Sequence, residues 1–120
     1  MIERIHPPGA PAPRGPYSPA VRAGDFIFVS GQVPPQSGEV GDETRQVLNN
    51  LKGILEGCGA SLQDVVKCTV FLANGQDFAA MNAVYAEFFG EAKPARSTVV
   101  TGFAIPNIKV EIDAIAYKPR

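Results

Sequence analysis

Residues 108–116 (IKVEIDAIA) decide the fold, because an apolar stretch of this length rich in β-branched residues predicts a strand. Residues 97–100 (STVV) form a second such stretch before it. A charged residue stands at each stretch where a strand should bury carbon: Arg96 immediately precedes residues 97–100, and Glu111 lies inside residues 108–116. These two residues are therefore the first candidates for a functional site.

Arg96 has no acidic residue nearby in the sequence. A guanidinium fits a carboxylate or phosphate through two parallel hydrogen bonds, and burying it without an anion is costly. The anion is either Glu111, in a structural salt bridge, or a bound ligand. The sequence leaves both possibilities open.

Composition predicts one compact domain over residues 1–120, with 45% hydrophobic and 19% charged residues. A net charge of -1 gives no electrostatic reason to expect a nucleic-acid or membrane-surface partner. No apolar run approaches the roughly 20 residues of a membrane span, and no signal pattern is visible. We expect a cytoplasmic protein without a membrane partner.

The cysteines and the histidine exclude the common metal sites. Cys58 and Cys68 do not form a CxxC pair, and His6 is the sole histidine. We therefore expect two reduced thiols and no bound metal.

The pattern along the chain predicts an α+β domain with the order β-β-α-β-α-β-β. Six prolines between residues 7 and 19 predict an extended loop. The predicted elements are a short strand before Gly24, a strand at 26–30, a helix from about 42 to 57, a strand at 65–72, a helix capped by Asp77 and running to 89, and strands from about 96 and about 109.

Two helices can cover one face of such a sheet. Residues 26–29 (FIFV), 65–66 (VV) and 99–100 (VV) nevertheless place apolar side chains on both faces of their strands. An uncovered apolar face is an interaction surface, so we expect other copies of the chain to cover it.

Four further residues are site candidates with simpler alternatives. Asn82 falls on the apolar stripe of the second helix and could satisfy a backbone group, while Tyr17 in the proline-rich loop could be a packing lid. Gly31 after Ser30 could serve turn geometry alone. The chain has neither a nucleophile-and-base pair nor a phosphate-binding glycine loop, so catalysis here would need an anion clamp and a carboxylate that activates water, without metal or cofactor.

Several blocks in order carry a family resemblance. They are residues 15–21 (GPYSPAV), 29–34 (VSGQVP), 77–89 with Asp77, Asn82 and Tyr85, 94–97 (PARS) and 108–116 (IKVEIDAIA). Over about residues 3–118 the chain resembles the reactive intermediate deaminase (Rid, YjgF) family.

The resemblance implies a chorismate-mutase-like α+β fold, with a mixed sheet, two helices on one face, and a homotrimer whose sites lie between subunits. It also implies hydrolysis of 2-aminoacrylate and related enamines or imines, released by pyridoxal-phosphate enzymes, into 2-oxo acids and ammonia. The implied ligand is a small 2-imino or 2-oxo acid, and no cofactor is implied.

By the same resemblance, Arg96 would clamp the substrate carboxylate and Glu111 would hold and activate the attacking water. The residues implied to bind or line the substrate are Tyr17, Ser30, Gly31, Asn82 and Thr98. Thr98 stands where many relatives carry Cys, and the loop from Gln32 to Asp42 is a few residues shorter than usual. Two alternatives remain within this fold: a binding module for small carboxylates, and a ribonuclease or translation inhibitor.

Overall fold

A six-stranded mixed sheet with two α-helices on one face forms the fold in the computed structural model, which describes residues 1–120. The order along the sheet is β1-β2-β3-β6-β4-β5; β4 and β5 are parallel, and the other neighbours are antiparallel. The α+β prediction is confirmed. The elements are β1 Ile2–Ile5, β2 Ala20–Ala23, β3 Phe26–Gln32, α1 Val40–Gly57, β4 Val65–Leu72, α2 Phe78–Phe89, β5 Ala95–Val100 and β6 Val110–Tyr117.

The predicted element order was wrong at one point, because it omitted β1. Ile2–Ile5 is a four-residue edge strand that pairs with β2 alone. Alternate side chains of this strand are only partly buried, and the others are exposed. Such a strand depends on its partner more than on its own composition. The proline-rich segment before β2 contains no helix or strand, as predicted.

Both helices form where the apolar spacing predicts them, although their starts differ in detail. α1 begins at Val40, two residues before the predicted start. Asp77 occupies the N-cap position of α2, as predicted, but its side chain makes no cap hydrogen bond. Asn74 instead accepts a hydrogen bond from the Gln76 N–H at 2.8 Å, in a short 3₁₀ turn ahead of α2. Neither helix is long and apolar enough to cross a membrane.

The core lies between the helices and one face of the sheet. Alternate residues of the strands, such as Ile27 in β3, Val70 in β4 and Ile112 in β6, are fully buried there. The other face carries exposed apolar side chains, which include Phe26, Phe28, Val99 and Tyr117. The two sheet faces are therefore both apolar, as predicted, and only one is covered by helices.

A buried carboxylate fixes the start of β6. Glu43, in the first turn of α1, is fully buried and accepts hydrogen bonds from the backbone N–H groups of Gly38 (3.0 Å) and Lys109 (2.7 Å). The Lys109 ammonium lies 3.6 Å from the same carboxylate. These bonds join α1 to the residue that precedes β6, and β6 carries Glu111.

Candidate functional site

Arg96 and Glu111 project from opposite faces of the sheet. Arg96 is the register partner of Cys68, a fully buried core residue, so its side chain lies on the helix face. Glu111 lies between the buried residues Val110 and Ile112, so the strand pleat directs it to the open face. The interpretation of Arg96 and Glu111 as a structural salt bridge is therefore wrong, because the two side chains lie on opposite faces of the sheet within one chain.

On the open face, Glu111 borders a cavity of about 310 Å³. Tyr17, Ser30 and Gly31, three of the predicted site residues, line this cavity, and Val33 and Ile105 complete it. The Ser30 hydroxyl donates a hydrogen bond to the Ser18 carbonyl at 2.6 Å, which ties the proline-rich loop to β3. The sequence thus identified the polar lining, but not the two aliphatic residues, which carry no chemical signal of their own.

Gly31 provides the space that the Glu111 carboxylate occupies. It lies in a bulge of β3, where Ser30 and Gly31, between the paired residues Val29 and Gln32, oppose the single residue Asp113 on β6. A Cβ at position 31 would collide with the Glu111 side chain. Turn geometry alone is therefore not the reason for this glycine.

The surroundings of Glu111 raise the pKa of its carboxyl group above the ordinary value. Burial is the larger cause, and the negative charge of Asp113, two residues along the same face, is the second. A carboxylate with a raised pKa is a better base toward water than an exposed one.

Tyr17 lies at the rim of this cavity and is 47% exposed. Its hydroxyl accepts a hydrogen bond from the backbone N–H of Arg14 at 3.1 Å, so the ring is held by its own loop. This exposure leaves the ring accessible to a ligand or to another subunit.

On the helix face, the Arg96 guanidinium rests on aromatic rings. Its central carbon lies 4.8 Å from the Tyr85 ring centroid and 5.7 Å from that of Phe78. Arg96 forms no salt bridge, and its side chain makes no hydrogen bond within the chain. The planar fork of N–H donors is therefore unoccupied by protein groups.

The groups beneath Arg96 are electrically neutral near pH 7. Burial raises the pKa of Cys68 to about 11, and burial with the neighbouring Cys68 raises the pKa of Tyr85 far above its ordinary value. No protein anion therefore compensates the guanidinium at this position.

Two other predicted residues lie beside Arg96. Thr98 follows it by two positions, on the same face of β5, and its hydroxyl oxygen is buried without a hydrogen-bond partner. Asn82 is half-buried on α2 between Phe78 and Tyr85, and its side chain bonds no backbone group, so that alternative was wrong. The spacing of residues 78, 82 and 85 on one helix face was the signal that could have identified Tyr85 as a site residue.

The structure thus defines an α+β protein with an unpaired guanidinium on one face of its sheet and, in a cavity on the other face, a carboxyl group of raised pKa. The family model described as Endoribonuclease L-PSP matches residues 8–118. The chain belongs to this family, known also as the YjgF, RutC or reactive intermediate deaminase family.

Relatives of known name and structure match nearly the whole chain. A RutC family protein of Pyrococcus horikoshii is 52% identical, over 98% of this chain and 99% of its own length. The 2-iminobutanoate/2-iminopropanoate deaminase of Escherichia coli is 42% identical over 98% and 99%. The crystal structure of E. coli TdcF with bound serine has a TM-score of 0.85 and 38% identity, over 91% and 93% of the two chains.

Proposed function

We propose that this protein hydrolyses 2-aminoacrylate and related enamines or imines into 2-oxo acids and ammonia. The observation that carries the proposal is the Arg96 guanidinium, which has free donors and no protein anion. The name of the E. coli relative supports the same activity. An α-carboxylate is the anion that such a substrate would present.

We further propose that the active unit is a homotrimer with sites between subunits. Arg96 lies on β5, an edge strand, while Glu111 lies on the uncovered apolar face. A neighbouring copy that covers this face with its β5 edge would bring its own Arg96 to Glu111. A head-to-tail contact closes into a ring when its rotation is a whole fraction of a turn, and the family resemblance implies a ring of three.

The reaction follows from these two groups. Arg96 binds the substrate carboxylate through two hydrogen bonds, which fixes the position of the imine carbon. Glu111 of the neighbouring subunit accepts a proton from water as the water oxygen adds to that carbon. The carboxylic acid then returns this proton to the nitrogen, which gives a carbinolamine. Glu111 next passes the carbinolamine hydroxyl proton to the amino nitrogen as the C=O bond forms and the C–N bond breaks, so that ammonia and a 2-oxo acid are released.

The direct experiment supplies serine or threonine to a dehydratase and measures 2-oxo acid formation with and without this protein. We expect formation faster than spontaneous hydrolysis, without added metal or cofactor. An unchanged rate across several small amino-acid precursors contradicts the proposal and favours a binding module of the same fold.

A further inference from the structure

The clamp residue Arg96 is held by ring faces instead of by polar groups. A cation above an aromatic ring interacts with the π-face, whereas its N–H bonds point outward in the guanidinium plane. A carboxylate partner would use those same N–H donors and compete with the ligand. The aromatic contact orients Arg96 and leaves its donors free.

We propose that Tyr85 is the positioning residue for the carboxylate clamp, acting through the face of its ring on Arg96. This inference rests on the proposed function, since it concerns how the same site holds the substrate carboxylate. It assigns Tyr85 no contact with the substrate.

Tyr85 suits this role better than Phe78, the other ring under the guanidinium. Its centroid is 4.8 Å from Arg96 compared with 5.7 Å for Phe78. Tyr85 is 8% exposed and packs against Phe89 in a tilted arrangement with 4.5 Å between ring centroids, whereas Phe78 is 47% exposed. The buried Tyr85 ring therefore has the more fixed position, and the Phe78 ring contacts the guanidinium from the solvent side.

The aromatic ring of Tyr85, and not its hydroxyl group, positions Arg96. The Tyr85 hydroxyl lies near Arg96 and Cys68 but is buried without a hydrogen bond of good geometry to either of them. Removing this hydroxyl breaks no hydrogen bond and leaves no group unsatisfied. Tyr85→Phe should therefore behave as wild type, while a substitution that removes the ring should not.

The test compares wild type with Tyr85→Phe and Tyr85→Leu, and uses Phe89→Leu as the matched control. Phe89→Leu removes a buried ring from the same cluster without touching Arg96. The probe is pyruvate, whose Kd is measured by calorimetry and whose effect on Arg96 is followed by NMR of ¹⁵N-labelled arginine. If Tyr85→Leu does not fold, Tyr85→Met takes its place.

We expect Tyr85→Leu to weaken pyruvate binding roughly tenfold and to raise KM more than it lowers kcat, because the clamp acts on bound substrate and transition state alike. The Arg96 Nε–H resonance should be shifted by the ring current in wild type, Tyr85→Phe and Phe89→Leu, and should lose that shift in Tyr85→Leu.

The inference is overturned if Tyr85→Leu keeps both the wild-type Kd for pyruvate and the wild-type Arg96 resonance. It is also overturned if Phe89→Leu weakens pyruvate binding as much as Tyr85→Leu does. Wild-type protein that binds no pyruvate contradicts the proposed function instead. In that case the arginine resonances still decide whether Tyr85 orients Arg96.

Discussion

Glu111 combines a chemical advantage with a cost in stability. Because burial and Asp113 raise its folded-state pKa, the folded protein holds this proton more tightly than the unfolded chain does. The resulting stabilisation is present below the ordinary pKa of Glu and is lost as pH rises through the folded pKa. At neutral pH the charged carboxylate is therefore held at the expense of the fold.

Glu111→Gln should separate the two effects. The amide keeps the shape but cannot take a proton from water, so turnover should fall by about 10²–10⁴-fold while pyruvate binding persists. Thermal melts should show the variant more stable than wild type at pH 7, with the difference shrinking toward pH 4. Near wild-type turnover would show that another group activates the water.

Asp113→Asn tests the second cause of the raised pKa of Glu111. Asp113 accepts a hydrogen bond from the Thr69 N–H at 3.1 Å, and an asparagine oxygen can keep this bond. Removing the negative charge should lower the pKa of Glu111 and move the acid limb of the kcat/KM profile to lower pH. Asp25→Asn, at an exposed turn, is the control. An unmoved acid limb contradicts the assignment.

At the scale of elements, the apolar patterns predict most of the fold. β4 and both helices follow from runs of β-branched residues and from apolar side chains at helical spacing. Pairing and register do not follow from such patterns, because they depend on which strands become neighbours. The edge strand β1 and the bulge at Gly31 therefore emerged only from the structure.

Gly31→Ala tests the bulge. The added methyl group meets the Glu111 carboxylate, so that side chain must move, and we expect loss of most turnover with destabilisation of about 1–3 kcal/mol. Gly53→Ala is the matched control, since a Cβ there meets nothing within 4 Å on α1. The control should gain about 0.5–1 kcal/mol. Equal activity in the two variants would contradict this role for Gly31.

At the scale of the whole molecule, the sequence predicted the candidate site residues, and the family resemblance implied sites between subunits, but the sheet faces on which these residues lie did not follow from the sequence. Arg96 and Glu111 were recognisable as charges within apolar strands. Their opposite directions depend on β4 lying between β5 and β6, and on the pleat of each strand. No local pattern encodes that combination, which keeps the two side chains apart within one chain.

The solution mass tests the assembly. Phe26, Phe28, Val99 and Tyr117 form an apolar face that a lone chain would leave in water. Light scattering should give about three times the 12.7 kDa of one chain, as the ring in the proposed function requires. A mass of 12.7 kDa would exclude sites between subunits.

Subunit complementation tests the central claim, that Arg96 of one chain works with Glu111 of another. We expect Arg96→Ala and Glu111→Gln chains each to lose nearly all activity alone, and the two are co-expressed in equal amounts. Random assembly into rings should make about a quarter of the sites intact and restore that fraction of wild-type deaminase activity. The Arg96→Ala/Glu111→Gln double variant co-expressed in equal amounts with wild type should also give about a quarter. No recovery in the first mixture, with half of the activity in the second, would place both residues of each site in one chain and contradict the account.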